Sequence, residues 1–354
     1  MHDDLEQRKS QHLDLARQPE VEPDDSDALF GCVRLVHKAL PELALSDIDL
    51  TTRFCGATLR APLMIVGMTG GTERAARINR DLAQVCEEQG VAFGVGSMRI
   101  VLGDPARMST FDVRPHRPPL LMANLGAQQL VQTPEAAQEL IGKLGADGIC
   151  IHLNPAQELV QTEGDRDFRG CLDAIGALAG GLSERLLVKE TGCGVSPAVA
   201  RELTARGVKA IDVSGAGGTS WTRVEQLRAG DDHARVLGEL LSSWGIPTAA
   251  AVRSVRAAVG DSTQLLASGG VRTGLDVAKA LALGADVAGL ALPLFRAHDT
   301  GGIDGARAAL TQLIDSLRSI CLLTGARTPR GLREVPLVLL EPLQSWLRTL
   351  GGAQ

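Results

Sequence analysis

The sequence predicts a (β/α)8 TIM barrel with an N-terminal extension and an insertion after strand six, and three observations carry that prediction. From Pro62 onward, eight short β-rich apolar runs alternate with longer Ala-, Leu- and Arg-rich segments of helical period. Most of the helical segments begin and end on residues suited to helix termini. Nearly every apolar run ends in polar residues, and the C-terminal ends of barrel strands are where barrel enzymes keep their function.

Taken in order, residues 1–60 form an N-terminal arm and extension, polar and acidic at first, with Glu20 to Asp27 reading as a solvated linker. The barrel spans 61–325, with strands expected at Leu63–Met68, Val91–Gly96, Leu120–Leu125, Gly148–Leu153, Leu186–Lys189, Ala210–Ser214, Leu265–Ser268 and Val287–Ala291. Thr133 and Ser196, each followed by proline, read as helix N-caps, and Gly145, Gly207 and Gly284 follow C-terminal turns. Eight βα units in series imply a parallel sheet with right-handed crossovers, and the number eight favours closure.

The stretch Thr219 to Val259 is long for a loop and helix and includes an expected extra helix near Ala234–Trp244. It reads either as a wall over a ligand or as a surface excursion. Residues 302–323 read as a closing helix, and the apolar segment 326–354 as packing on the barrel or on a neighbouring subunit.

Composition narrows the function. With 44% hydrophobic and 22% charged residues, a chain of 354 residues buries a sizeable core. A net charge of −6 argues against nucleic acid as a partner, so an anionic ligand must be met locally. The seven cysteines are scattered without a CxxC pair or metal-ligand spacing, and read as reduced thiols. No stretch reaches about 18 uninterrupted apolar residues and the N-terminus lacks a signal pattern, so the expectation is a cytoplasmic protein without a membrane partner.

The strand tips carry the chemistry. Ser268-Gly-Gly-Val-Arg-Thr-Gly274 leads into a helix, and its glycines let backbone N–H groups approach a phosphate near a helix N-terminus. With Lys189 and Asn124 on other tips it reads as an FMN site; an interior lysine paired to Glu190 or Asp212 is the plain alternative for Lys189. At the fourth tip, His152, Asn154, Gln157 and Glu158 fall within seven residues. A carboxylate beside amides suits Mg2+, although Glu158 is equally a helix-starting glutamate. Arg8, Lys9, His12 and Arg99 are candidate cations for a diphosphate, the first three also reading as plain surface.

Together the tips resemble a known family. Arg8-Lys9 with His12, Met68–Gly71, Gly96–Arg99, Asn124–Gly126, His152 to Glu158 with Glu163–Asp165, Val188–Glu190, Ser214–Trp221 and Ser268–Gly274 are similar to the type 2 isopentenyl diphosphate isomerases over almost the whole chain. The resemblance implies FMN held by Met68, Thr69, Gly70, Ser97, Asn124, Lys189, Ser214, Thr219, Gly269, Gly270, Val271, Arg272, Ala291 and Leu292. It implies substrate held by Arg8, Lys9, His12, Ser97, Arg99, Asn154 and Gln157, with Trp221 as a wall for the prenyl group, and Mg2+ on Glu158.

The implied reaction interconverts isopentenyl and dimethylallyl diphosphate in isoprenoid biosynthesis. Reduced FMN would be the acid/base catalyst, Gln157 would assist proton movement, and NADPH would serve only as reductant. It also implies a homotetramer or homo-octamer, in which the arm could complete a neighbour's site. Thr162 departs from the family, where proline is expected.

Three other readings compete with this one. An FMN-dependent 2-hydroxy-acid oxidase or dehydrogenase needs a histidine base after strand six or seven, and none occurs before His233. A nucleotide dehydrogenase needs a loop cysteine, for which Cys193 is the candidate. A ligand sensor on a decayed barrel would have lost its polar tips, which are intact.

Overall fold

In the computed structural model, which describes residues 2–351, eight parallel strands close into a barrel. They are β1 (Leu63–Ile65), β2 (Ala92–Gly94), β3 (Leu121–Gly126), β4 (Gly148–Leu153), β5 (Leu186–Glu190), β6 (Ala210–Asp212), β7 (Gln264–Ala267) and β8 (Val287–Leu290). Each pairs with its neighbour in sequence, and β8 closes on β1 with Leu63 opposite Ala288. All eight expected strands form, several of them shorter than expected because their last residues turn into the loops.

Side chains alternate along each strand. Ile65, Phe93, Ala123, Ile149, Val188 and Ile211 face outward into the core beneath the helices. Met64, Ala92, Met122, Cys150, Leu187, Ala210, Leu266 and Val287 face inward and fill the barrel. The lower end of that interior is plugged by the hairpin Thr52–Phe54 and Ala57–Leu59, which seats Phe54, Cys55 and Leu59 in the same cluster. Gln264 holds the plug, accepting from the Cys55 N–H at 2.8 Å and donating to the Arg53 carbonyl at 3.3 Å.

Ser196 caps its helix as expected, its side chain accepting the Val199 N–H, and Gly145 and Gly284 terminate theirs at φ 67° and 123°. Thr133 does not cap. It ends the preceding short helix Ala127–Gln132, its N–H bonded to the Gln129 carbonyl, so the next helix starts only at Ala136. The closing helix merges with the segment before it as Leu292–Thr324, broken at Gly302.

The insertion folds as helices Trp221–Arg228 and Asp232–Leu240 before the barrel helix Thr248–Val259. Leu337–Leu339 pairs antiparallel with Val33–Leu35, and the helix Leu343–Leu350 packs on Thr248–Val259, so the C-terminal segment lies against its own chain. The acidic run is not a solvated linker. Val21 is fully buried, Glu22 is held by Arg272 and Arg296, and the segment straps the arm helix His2–Ala16 to the barrel.

Phe54 carries most of the plug. Phe54→Ala is expected to lower the unfolding free energy by about 3–5 kcal/mol in a urea titration; a loss below about 1 kcal/mol would show that the hairpin does not stabilise the barrel.

Candidate active site

Two residues above the apolar interior, the same inward columns turn polar. Met122 is followed by Asn124, Cys150 by His152, Leu187 by Lys189, Ala210 by Asp212 and Leu266 by Ser268, all buried. A polar layer out of water must be satisfied internally. Asn124 donates to the Val95 carbonyl at 3.1 Å, so its Oδ1 accepts from His152 Nδ1 at 2.9 Å. His152 therefore carries a proton on Nδ1, and burial with the nearby Lys189, Lys9 and Arg99 charges pushes its pKa down to about 3, which favours the neutral ring. Asp212 accepts from the Ser268 hydroxyl and from the N–H groups of Ser214 and Ser268. Lys189 stands opposite it in register and donates to the Glu190 carbonyl.

Above this layer lie two adjoining cavities that share part of their lining. The first is lined by Met68, Thr69, Lys189, Ser214, Thr219, Gly269, Gly270, Val271, Arg272, Ala291 and Leu292. Its floor is a glycine cradle. A Cβ on Gly269 (φ 93°) would stand 2.1 Å from the Gly215 oxygen, and one on Gly270 (φ 73°) 2.4 Å from the Gly217 oxygen, so only glycine allows the two loops to meet. Ser214, at φ 36°, is a strained non-glycine residue on the same wall.

The cradle differs from expectation in one respect. Asp276 accepts the N–H groups of Arg272 and Thr273, so the helix Gly274–Leu283 is already capped by its own carboxylate. The second helix at the cradle, beginning at Leu292, has no capping side chain, which leaves its N-terminus suited to an anion.

The second cavity is lined by Arg8, Lys9, His12, Ser97, Arg99, Asn124, Asn154, Gln157, Glu158 and Trp221. The arm of the same chain thus supplies its cations. Lys9 donates to the Ser97 carbonyl at 2.9 Å, and burial, with Arg8 beside it, lowers its pKa to about 7. Arg8 approaches Glu163 at 3.4 Å while its Nε is buried without a partner. Glu158 is buried in the first turn of its helix, Pro155–Val160, and its carboxylate accepts from Asn154 Nδ2 at 2.9 Å and from the Asp165 N–H at 2.7 Å. Arg99 stands 3.7 Å from Glu158 and 3.6 Å from Asp165, close enough to balance them but beyond hydrogen bonding. Asn154 Oδ1 and Gln161 Nε2 are buried with no partner beside them. Thr162 donates to Asp231 at 2.9 Å and so ties this loop to the insertion.

Glu225 joins the pieces. Almost wholly buried on the insertion helix, it accepts from Gln157 Nε2 at 2.9 Å and His12 Nε2 at 3.1 Å through one oxygen and from Arg228 at 2.7 Å through the other. Burial alone would raise its carboxyl, but the bond and charge of His12, with Arg228 and Gln157, outweigh it and hold the pKa at about 2. Because a carboxylate only accepts, His12 carries its proton on Nε2 and Gln157 points its amide nitrogen at Glu225, while its oxygen accepts from Asn154 Nδ2 at 3.5 Å. Trp221 meets His12 edge-on with centroids 5.2 Å apart.

Comparison with known proteins now bears on this geometry. A family model described as FMN-dependent dehydrogenase matches residues 152–337. The chain is 48% identical to an isopentenyl-diphosphate delta-isomerase of Synechococcus sp. over 93% of its length and 95% of that protein's. It is 41% identical to the same-named protein of Pyrococcus horikoshii, covering 96% and 94%. The chain belongs to the isopentenyl-diphosphate delta-isomerase family. The matching model places this isomerase on an FMN barrel.

Among solved structures, a lactate oxidase of Pediococcus acidilactici superposes with TM-score 0.68 at 16% identity, covering 96% of this chain and 94% of that one. A mandelate oxidase superposes with TM-score 0.62 at 15% identity, covering 93% and 92%. At such identity the likeness is one of fold. The histidine that a hydroxy-acid oxidase would carry after strand six or seven does not line these cavities, since His233 is exposed on the second insertion helix. Cys193 lines neither cavity, and burial with Glu190 beside it pushes its thiol up to about 12, away from the thiolate a nucleophile needs.

The cavities of this isomerase gather every candidate site residue except Gly70, which packs under Phe111; a Cβ there would lie 1.9 Å from the ring. Glu225 and Gln161 were missed. For Glu225 the available signal was its spacing of four from Trp221 on one helix face. Glu225→Gln would leave Arg228 paired only with the half-exposed Glu163 and is expected to cost about 1–3 kcal/mol in urea melts. It should also make the arm sensitive to protease, and an unaltered digestion pattern would remove Glu225 from arm docking.

Proposed function

We propose that this chain interconverts isopentenyl and dimethylallyl diphosphate, with reduced FMN in the first cavity, the diphosphate in the second and Mg2+ at Glu158. NADPH or another reductant is needed only to reduce the flavin at the outset. One observation carries this reading. The two cavities share a wall at His12, Gly67, Met68, Lys189, Thr191 and Trp221, so ligands filling both would touch across it.

Moving this double bond requires protonation of an unactivated alkene and removal of a proton from a neighbouring carbon, in a pocket that keeps water from the cation. Bound reduced FMN supplies an electron-rich face and an exchangeable proton, which no ordinary side chain offers. The residues of the chain do the rest. The glycine cradle and the Leu292 helix terminus suit its phosphate, and Lys189 places a cation at the shared wall. Gln157, with its nitrogen committed to Glu225, offers its carbonyl oxygen as a proton-directing acceptor. Trp221 and the docked arm exclude water.

Arg8, Lys9 and Arg99 answer the diphosphate charge, and the unpaired Arg8 Nε is a donor that such an anion would satisfy. The donor set also suits Mg2+. Glu158 supplies a carboxylate and Asn154 an unpartnered amide oxygen, and no cluster of three His, Cys, Asp or Glu occurs among the described residues. A cation held by so few protein atoms would complete its shell with water and diphosphate oxygens, offsetting their charge. A homotetramer or homo-octamer belongs to the same reading, supported by the exposed apolar Val236, Leu240 and Trp244.

An anaerobic assay with FMN, Mg2+, dithionite or NADPH and isopentenyl diphosphate, omitting each in turn, tests the whole. Dimethylallyl diphosphate should form only with reduced flavin and Mg2+; its absence from a protein that binds FMN would refute the substrate. Glu158→Gln should raise the Mg2+ requirement and leave FMN bound. Gln157→Asn should lower kcat roughly 100-fold with little change in KM, in the range of a lost proton-directing group; normal turnover would remove Gln157 from the reaction.

Lys9 gives a pH signature. With a pKa of about 7 its amine is largely neutral at pH 8.5, and a bound diphosphate pulls the pKa back up. Calorimetry in buffers of different ionisation enthalpy should show proton uptake on binding at pH 8.5 that fades towards pH 6. Uptake undiminished in Lys9→Met would assign the proton to another group.

A further inference from the structure

The strap between the arm and the barrel, residues 19–29, touches both halves of the site. Glu22 accepts from Arg272, in the glycine cradle loop, and from Arg296 at 2.5 Å. Arg296 also donates to the Gln18 carbonyl at 2.9 Å, just beyond the arm helix. The second terminal nitrogen of Arg272 donates to the Val271 carbonyl at 3.1 Å. Its guanidinium therefore serves the strap, leaving the backbone of the loop to line the cavity. Further along, Ala28 packs directly on the cradle: a Cβ on Gly270 would lie 2.6 Å from the Ala28 Cβ, and one on Gly217 would lie 1.9 Å from the Ala28 nitrogen. The Val21 carbonyl accepts the Ser220 N–H at 2.8 Å, at the start of the helix that carries Trp221 and Glu225.

Of the other ionic ties of the arm, His12 with Glu225 and Arg8 with Glu163 lie at the site itself, whereas Arg17 with Asp299 and Arg74 with Asp14 lie in more exposed positions, where ion pairs contribute little. The Glu22 pairs are more enclosed and share one carboxylate between two guanidiniums. Burial would raise the Glu22 carboxyl, yet Arg272 and Arg296 hold it below the usual carboxylate range.

We propose that Glu22 is a positioning residue that couples the FMN phosphate cradle to the substrate-binding arm, so that filling the cradle favours docking of Arg8, Lys9 and His12. This rests on the reading of the two cavities given above. A cradle held in shape by its ligand fixes Arg272, Arg272 fixes Glu22, and Glu22 fixes the chain that leads back to the arm. Coupling of this kind is reciprocal, so a diphosphate in the second cavity must tighten FMN by the factor by which FMN tightens the diphosphate.

The test uses the full chain, inorganic pyrophosphate with Mg2+ as probe, and titration calorimetry on apo and FMN-loaded protein. In the unaltered protein FMN should tighten pyrophosphate binding roughly tenfold, within the usual span of coupling between sites. In Glu22→Gln that gain should fall below about twofold, with Glu22→Asp restoring part of it, while the isomerase assay shows a raised KM at nearly unchanged kcat. Arg8→Gln is measured alongside. If it weakens pyrophosphate and the coupling in Glu22→Gln is undiminished, the strap inference alone is overturned. If Arg8→Gln leaves pyrophosphate affinity unchanged, the assignment of the arm to the diphosphate fails, and the strap inference with it.

Discussion

The site depends on the register of the barrel strands. In a closed parallel sheet every second residue faces inward, and no inward residue can move to the other face without a slip that turns its whole strand over. Met122, Cys150, Leu187 and Ala210 fix the lower layer by packing against one another around the plug, and the residues two places later are then obliged to meet at the next level. That is how Asn124, His152, Lys189 and Asp212, far apart in sequence, form one buried polar layer. The layer is sustained because each member has a partner. Asn124 orients His152, Ser268 and two backbone N–H groups satisfy Asp212, and Lys189 stands beside Asp212 with its ammonium on the Glu190 carbonyl.

Much of this was legible in the sequence, because barrel strands announce themselves by short apolar runs and end on residues that a strand interior would not tolerate. The glycines of the cradle were readable for the same reason: Gly269 and Gly270 stand where a side chain would strike the neighbouring loop. What escaped was information carried by distant partners. Glu225 looks like any carboxylate on a solvated helix until His12 is brought to it from the other end of the chain. Glu20 to Asp27 reads as an acidic linker until Arg272 and Arg296 appear beside Glu22. Thr133 shows the local limit, since a residue with the chemistry of an N-cap was already engaged in ending the helix before it.

The insertion after the sixth strand and the N-terminal arm form a single wall, although more than 200 residues separate them. Glu225 receives His12 from the arm and Gln157 from the fourth strand loop, while Thr162, which stands where family members are expected to have proline, meets the insertion through Asp231. A departure that looked neutral in the sequence thus acquires a contact. The same wall explains why the arm serves its own chain: His12, Leu13 and Ala16 reach the first cavity and Arg8 and Lys9 the second, all from one helix seated on the loops.

Phe54, Cys55 and Leu59 of the hairpin fill the floor of the barrel, and at the opposite end the arm helix lines both compartments. The two compartments therefore share one roof, and whatever shifts the arm alters the walls of both together.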